Sequence, residues 1–270
     1  MKILLTGSDG FIGSNLADEL LQRGHELICW ESDAVDDIEE LKEAVAEVSA
    51  ICHVGAISDT MEHDYNKMLK YNYIFSKTLF DMAGAKRIVY SGSASVYGSK
   101  TNPNPLNIYA WSKLLAEDYG RLRCPNFISL RYFNVYGDGE DIKNYPMTSI
   151  AYQSYDKNSF KLFPGDAKRD FIYVKDVVHA NVVALESIIK NPVTYDCPTG
   201  VYDCGTGVAR SFEDVLDIMD IPYTHTSKNN IPEGYQFYTK ANSEKFIPGW
   251  EPRYSLEDGL SDYKKYLKKL

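Results

Sequence analysis

Three side chains between Ser91 and Lys113 have the types and spacing to move a proton: Ser93, Tyr109 and Lys113. Tyr109 and Lys113 stand at i and i+4, so on a helix they share one face, one above the other. A free tyrosine ionises at about pH 10 and is a poor base at neutrality. A lysine ammonium one turn away favours the phenolate and pulls that value down. Tyr109 would then exchange a proton with a hydroxyl substrate, Lys113 would hold it ready, and Ser93 would hydrogen-bond the substrate oxygen. By itself the spacing also fits an exposed aromatic–lysine pair, so the surrounding elements must decide.

The first of these elements lies at the N-terminus. Lys2–Thr6 reads as a short buried strand, followed by Gly7-Ser-Asp-Gly10-Phe11-Ile12-Gly13 and a helical pattern from Ser14 to Arg23 that ends at Gly24. Strand, glycine turn and helix together form a dinucleotide-binding context. Gly7 permits the tight turn, and Gly10 lets a pyrophosphate approach the amides of the first helical turn, where Phe11 and Ile12 sit. Gly13 lets helix and strand pack closely. A second strand, Glu26–Trp30, leads to Glu31, 18 residues after Gly13. An acid there accepts hydrogen bonds from a ribose diol and repels a 2′-phosphate, and no Lys or Arg occurs between Gly24 and Lys42. The bound group is expected to be NAD, with NADP the alternative.

Ser32–Val35 is too short for the crossover that a third parallel strand requires, and Asp36–Val48 already reads as an amphipathic helix. The third strand is therefore expected to be reduced or missing. Strand and helix patterns then alternate through Ala50–Val54, a helix carrying Asn72 and Leu79, Lys86–Ser91, the Tyr109/Lys113 helix and Phe127–Asn134. The fold class is α/β: a Rossmann-like doubly wound parallel sheet, with a smaller C-terminal substrate-binding lobe. The dinucleotide domain is expected over 1–136, with segments such as 169–190 returning to it, and 137–270 is mainly the substrate lobe. In the second half, Lys161–Gly165, Arg169–Val174 and Val201–Gly207 read as strands and turns. Ser211 reads as the N-cap of a helix by residue class, Thr224–Asn230 reads as a polar loop, and a last helix is expected to start near Ser255.

The 270 residues carry a net charge of −9, which argues against a nucleic-acid surface; the terminal KKYLKKL reads as the solvated face of a helix. No apolar run reaches the roughly 18 residues of a membrane span, and no leader is evident. The five scattered cysteines read as reduced, buried thiols of a cytoplasmic protein, and no metal site is expected.

The glycine turn, Ser93, Tyr109/Lys113, Arg131-Tyr-Phe-Asn134-Val-Tyr-Gly137, Arg169-Asp-Phe-Ile-Tyr-Val-Lys-Asp176 and Gly205-Thr-Gly207 together resemble the extended short-chain dehydrogenase/reductase superfamily of nucleotide-sugar enzymes. His53-Val-Gly-Ala56, Pro105–Tyr109, Lys161–Gly165 and Tyr235-Gln are most similar to the ADP-L-glycero-D-manno-heptose 6-epimerases within it. The resemblance implies an epimerase of a nucleotide-diphosphate sugar that oxidises a hydroxyl to a ketone and returns the hydride to the other face. It also implies a role for Lys143, six residues beyond Gly137, as a second base, although a solvated loop lysine fits the same position. Ala56 and Asn72 fall on the cofactor side. Asn72 either braces backbone near the active serine or lies on a helix surface. Asn134, Lys161, Arg169 and Tyr235 fall on the sugar and diphosphate; for Arg169 an ion pair with Asp170 or Asp176 is the alternative. Gly234 stands where these epimerases have an arginine.

Dehydratases of the superfamily need an Asp-Glu pair after the strand-end hydroxyl, where this chain has Ala94-Ser95. Decarboxylases place a Glu there, and epimerase-reductases of the fucose type use a Cys and a His that are missing near the trio. A UDP-glucose/UDP-galactose 4-epimerase or another nucleotide-sugar oxidoreductase needs only the trio and is the alternative. A non-catalytic dinucleotide sensor or scaffold is a third class. Relatives often dimerise through a four-helix face, so a homodimer stays open.

Overall fold

The computed structural model describes residues 1–31, 35–60, 62–140, 150–190, 199–227 and 235–270. β1 (Lys2–Thr6) lies inside the main sheet, and its apolar run is covered on both faces. Alternate side chains go to opposite faces. Ile3 and Leu5 join a core with Leu16 and Leu20 of α1 (Phe11–Gln22), whereas Leu4 joins a second core with Leu41, Val45, Leu79 and Phe80. β2 (Glu26–Trp30) pairs on one side of β1; after α2 (Ile38–Glu47), β3 (Ala50–His53) pairs on the other. This reversal opens a crevice at the carboxyl ends of β1 and β3, the place where open α/β sheets bind ligands.

The chain continues through α3 (Tyr65–Met68), a π-helical turn Leu69–Ile74, and α4 (Phe75–Ala83). β4 (Arg87–Ser93), a short 3-10 turn Ala94–Tyr97, α5 (Ile108–Arg123) and β5 (Phe127–Tyr132) follow. Then come β6 (Asn134–Tyr136), α6 (Ile150–Lys157), β7 (Phe160–Leu162), β8 (Lys168–Tyr173) and α7 (Val174–Lys190). β9 (Gly200–Cys204), β10 (Ala209–Ser211), α8 (Phe212–Met219), β11 (Tyr223–His225) and α9 (Leu256–Leu267) complete it.

The main sheet is parallel throughout, in the order β2-β1-β3-β4-β5-β9. β2 is its edge, so among the described residues no third strand lies beyond it, in keeping with the expectation of a reduced or missing strand after Glu31. α1 and α7 contact each other, as do α2 with α4 and α4 with α5, giving a helical layer on each face of the sheet. A smaller sheet, β10-β8-β6, and the pair β11-β7 follow from the second half.

Two expectations change. Tyr223–His225 is a strand rather than loop, because parallel pairing with Phe160–Leu162 gives its polar residues a backbone partner. Cys52, Cys124 and Cys204 are free and buried, but Cys29 is exposed: it lies on β2, the edge strand of the main sheet. Cys197 lies outside the described residues. Ser211 is an N-cap, with a reciprocal bond pair to Asp214 at 3.0 and 2.9 Å.

Candidate active site

A cavity of about 1270 Å³ opens at the carboxyl ends of the main strands. Its lining takes in Gly7, Gly10, Phe11, Ile12, Gly13, Glu31 and Ala56 of the expected cofactor side, together with Ser93, Tyr109 and Lys113. Gly7 has φ +71°, and a Cβ there would stand 2.6 Å from Gly55 Cα. A Cβ on Gly13 would lie 1.9 Å from the Gly7 carbonyl oxygen. These two positions therefore require glycine for backbone to meet backbone. α1 begins at Gly10 with no side-chain cap and no acid in its first turn, so its leading amides face the cavity without a competing carboxylate. Glu31, half-buried, accepts from Ser8 Oγ and from the Asp9 amide at 3.2 Å, both on Oε1. Among the described residues no donor meets its Oε2, which faces a ligand hydroxyl as an acceptor. Uncapped amides beside an anchored acid suit a dinucleotide's pyrophosphate and ribose diol. With no third strand, Trp30 and Val35 wall the cavity beyond Glu31.

Ser93, Tyr109 and Lys113 are brought together by β4 and α5. Asn107 caps α5 by accepting from the Ala110 amide at 2.8 Å, which sets Tyr109 in the first helical turn. There the helix dipole as well as Lys113 favours a phenolate. Lys113 is 3% exposed, and its ammonium lies 4.4 Å from the Tyr90 ring centre. Burial pulls its pKa down to about 7, against the opposing charge of Glu117 one turn further on. Glu117 is itself buried, accepting from Ser129 Oγ at 2.7 Å and from Arg131 Nε at 3.0 Å, which fastens α5 to β5. Ser93 ends β4; its Oγ accepts the Ser95 amide at 3.2 Å and lies 2.8 Å from Ser95 Oγ. Ser95 also lines the cavity, and only the second serine of Ser-Ala-Ser hinted at it.

Asn134, Arg169 and Tyr235 line the same cavity. Arg169 is 6% exposed and its Nη1 donates to the Lys168 carbonyl at 3.1 Å. Its guanidinium lies 5.1 Å from the Tyr235 ring and 5.5 Å from Phe212. No ion pair to a carboxylate holds it among the described residues, and burial lowers its pKa below the usual arginine value. The acids that sequence offered as partners are engaged elsewhere. Asp170 accepts from the amides of Thr206, Gly207 and Ala241 at 2.7, 2.8 and 3.0 Å. Asp176 accepts from the amides of Arg253 and Tyr254 at 3.0 and 3.1 Å. Lys161 is not brought to the cavity; it is exposed on β7. Lys143 and Gly234 lie outside the described residues. Gln236, which the sequence offered only as part of the Tyr235-Gln motif, lines the cavity and donates from Nε2 to the Gly98 carbonyl.

Asn72 does not line the cavity and is not on a solvent surface. It is 1% exposed within the π-helical turn, a distortion common at functional sites. Its Oδ1 accepts the Ile57 amide at 2.8 Å, and its Nδ2 donates to the Ile57 carbonyl at 2.9 Å and to Ser112 Oγ at 3.0 Å. It braces the loop after β3 against α5.

Residues 3–197 match the model of the "NAD dependent epimerase/dehydratase family". ADP-L-glycero-D-manno-heptose-6-epimerase of Cupriavidus pinatubonensis is 34% identical, over 81% of this chain and 77% of that protein. The crystal structure of the Helicobacter pylori ADP-L-glycero-D-manno-heptose-6-epimerase superposes with a TM-score of 0.84 at 27% identity, covering 100% of this chain and 96% of that one. UDP-glucuronic acid 4-epimerase from Bacillus cereus, solved with UDP-glucuronic acid and NAD, gives 0.81 at 22% identity, covering 100% and 99%, and shares the fold. Among the described residues no helix is long and apolar enough to cross a membrane. With the family model matched over residues 3–197 and the fold shared along the whole chain, the chain belongs to the NAD-dependent epimerase/dehydratase family of extended short-chain dehydrogenase/reductase enzymes.

Proposed function

We propose that this protein is an NAD-dependent epimerase of a nucleotide-diphosphate sugar, with C-6 of an ADP-activated glycero-manno-heptose as its target. The observation that carries this is the single cavity taking in the glycine turn, the Ser93–Tyr109–Lys113 trio and the carboxylate-free Arg169. The heptose is favoured by the name of the 34% identical relative and of the Helicobacter pylori structure. When bound, NAD supplies the reversible hydride acceptor. Tyr109 Oη takes the proton of the sugar hydroxyl as that carbon becomes a ketone, and gives it back when the hydroxyl re-forms. Lys113 gains charge as Tyr109 loses its proton, because each ionisation favours the other. Ser93 Oγ accepts the Ser95 amide and stands 2.8 Å from Ser95 Oγ; with Ser95 as the donor between the two hydroxyls, the Ser93 hydrogen goes to the substrate oxygen. Arg169 holds the diphosphate while the planar ketone presents its opposite face. Lys143 serves as the second base in this scheme.

Residues 1–136 with 169–190 are proposed as the dinucleotide portion and 137–270 mainly as the substrate portion. The same reading has the enzyme work in the cytoplasm and allows a homodimer: α5 leaves Trp111 and Leu122 at 55% and 79% exposure. The trio alone would also serve a UDP-hexose 4-epimerase. Incubation with the ADP-heptose and with UDP-galactose, following product stereochemistry, separates the two. Turnover of UDP-galactose alone overturns the heptose assignment. Lys143→Ala should cripple a two-base epimerase and spare a 4-epimerase.

A further inference from the structure

His53 ends β3 opposite Thr6, at the crevice where the sheet reverses. Its imidazole is fully buried, with Phe75, Phe80 and Tyr90 at ring-centre distances of 5.7, 5.7 and 5.5 Å. The bonds around it fix where its proton sits. Ser76 Oγ lies 2.7 Å from the Asn72 carbonyl, which can only accept. Ser76 therefore commits its one hydrogen there, and must accept from His53 Nε2 at 2.7 Å. Nε2 carries the hydrogen, so Nδ1 accepts from Thr6 Oγ1 at 2.7 Å. Thr6 Oγ1 in turn accepts the Gly55 amide at 3.1 Å. Burial, with the nearby Lys113 charge, pushes the ring's pKa down to about 3, so it is neutral.

The relay continues on both sides. Gly55, Ala56, Ile57 and Ser58 line the cavity. Asn72 grips both polar groups of the Ile57 backbone and donates to Ser112 Oγ, and Ser112 donates to the carbonyl of Tyr109 at 2.8 Å. A continuous set of directed bonds thus joins the end of β1, the loop 55–58 and the peptide of Tyr109.

We propose that His53 is a positioning residue: as its Nε2–H tautomer it clasps β1 to the helical turn bearing Asn72, and so holds loop 55–58 in fixed register with Tyr109. It touches no reacting atom. Its consequence for turnover rests on the proposed function, whereas its consequence for the loop does not.

The test compares wild type with His53→Phe, His53→Asn and Ser76→Ala. Phe fills the space without polar groups, and Asn offers one acceptor and one donor. In His53→Phe, amide exchange at Gly55 and Ile57 should accelerate at least tenfold, NAD affinity should fall about tenfold, and kcat should fall more than the sugar KM rises. His53→Asn should recover most of each loss. Nitrogen NMR of the wild-type imidazole should show the proton on Nε2. A proton on Nδ1, or wild-type loop exchange and NAD affinity in both His53→Phe and Ser76→Ala, would overturn the proposal. Should His53→Phe not fold, Ser76→Ala and the tautomer decide. Exchange and tautomer are read without substrate, so a wild type that turns over no nucleotide sugar refutes the epimerase reading and leaves this one to its own result.

Discussion

Arg169 is a buried cation that meets no carboxylate among the described residues, and that arrangement predicts a separation of binding from stability. Arg169→Met keeps the aliphatic stem and removes the guanidinium. Two charge-assisted bonds to a diphosphate contribute about 1.5–3 kcal/mol each, so their loss costs about 3 kcal/mol or more. At 1.4 kcal/mol per decade this is at least a roughly hundredfold weaker affinity for the nucleotide sugar. The free protein should respond differently. It loses two cation–π contacts of about 0.5–2 kcal/mol each and the bond to the Lys168 carbonyl, about 1 kcal/mol, but is relieved of desolvating a buried charge, so its stability should change by no more than about 2 kcal/mol. Titration calorimetry with the nucleotide sugar and with the nucleoside diphosphate alone should show the same loss for both ligands. KM should rise with little change in kcat. Arg169→Lys should recover only part, since an ammonium cannot fork across two oxygens. If Arg169→Met bound as wild type, or lost several kcal/mol of stability at unchanged affinity, Arg169 would be a packing residue and the phosphate assignment would fail.

Gly13→Ala would put a Cβ 1.9 Å from the Gly7 carbonyl, which must shift by more than an ångström; NAD affinity should fall by about a hundredfold. Gly84→Ala, strained at φ +59° but with nothing within 4 Å, should cost about 1–3 kcal/mol of stability and leave NAD binding unchanged. Lys113 has its pKa lowered to about 7 in the native state. Between pH 7 and about 10.5 the unfolded chain therefore binds the extra proton, and stability rises with pH. Denaturation of wild type against Lys113→Met should show wild type gaining over that window and no relative change below it; Lys113→Met should also lose turnover at neutral pH. Asp170→Asn would point an amide NH2 at backbone donors and should destabilise by about 2–4 kcal/mol in chemical denaturation.

The glycine turn, the trio and the missing third strand were legible in the sequence because each rests on local chemistry: a turn that only glycine allows, a helical spacing, and a link too short to cross over. The same local logic placed the cap at Ser211 and the start of the last helix near Ser255. What escaped was set by distant partners. Arg169-Asp170 reads locally as an ion pair, but three backbone amides from later segments claim Asp170 and leave Arg169 to the cavity. Asn72 looks like a surface helix residue until the π-helical turn buries it against Ser112, which lies 40 residues away. Lys161 matches a motif, yet β7 turns it outward. His53 appeared only as part of a resemblance, since its partners Thr6 and Ser76 are brought to it by strand pairing and helix packing.

The central claim is that Tyr109 serves a transient oxidation at the carbon whose configuration changes. Substrate carrying deuterium on that carbon tests it most directly, with turnover in ordinary water and the product examined by mass spectrometry and NMR. Wild type should invert the centre and retain the deuterium there, and Tyr109→Phe should bind NAD but give no inverted product. Inversion with deuterium replaced by solvent hydrogen, or undiminished turnover by Tyr109→Phe, would contradict the account.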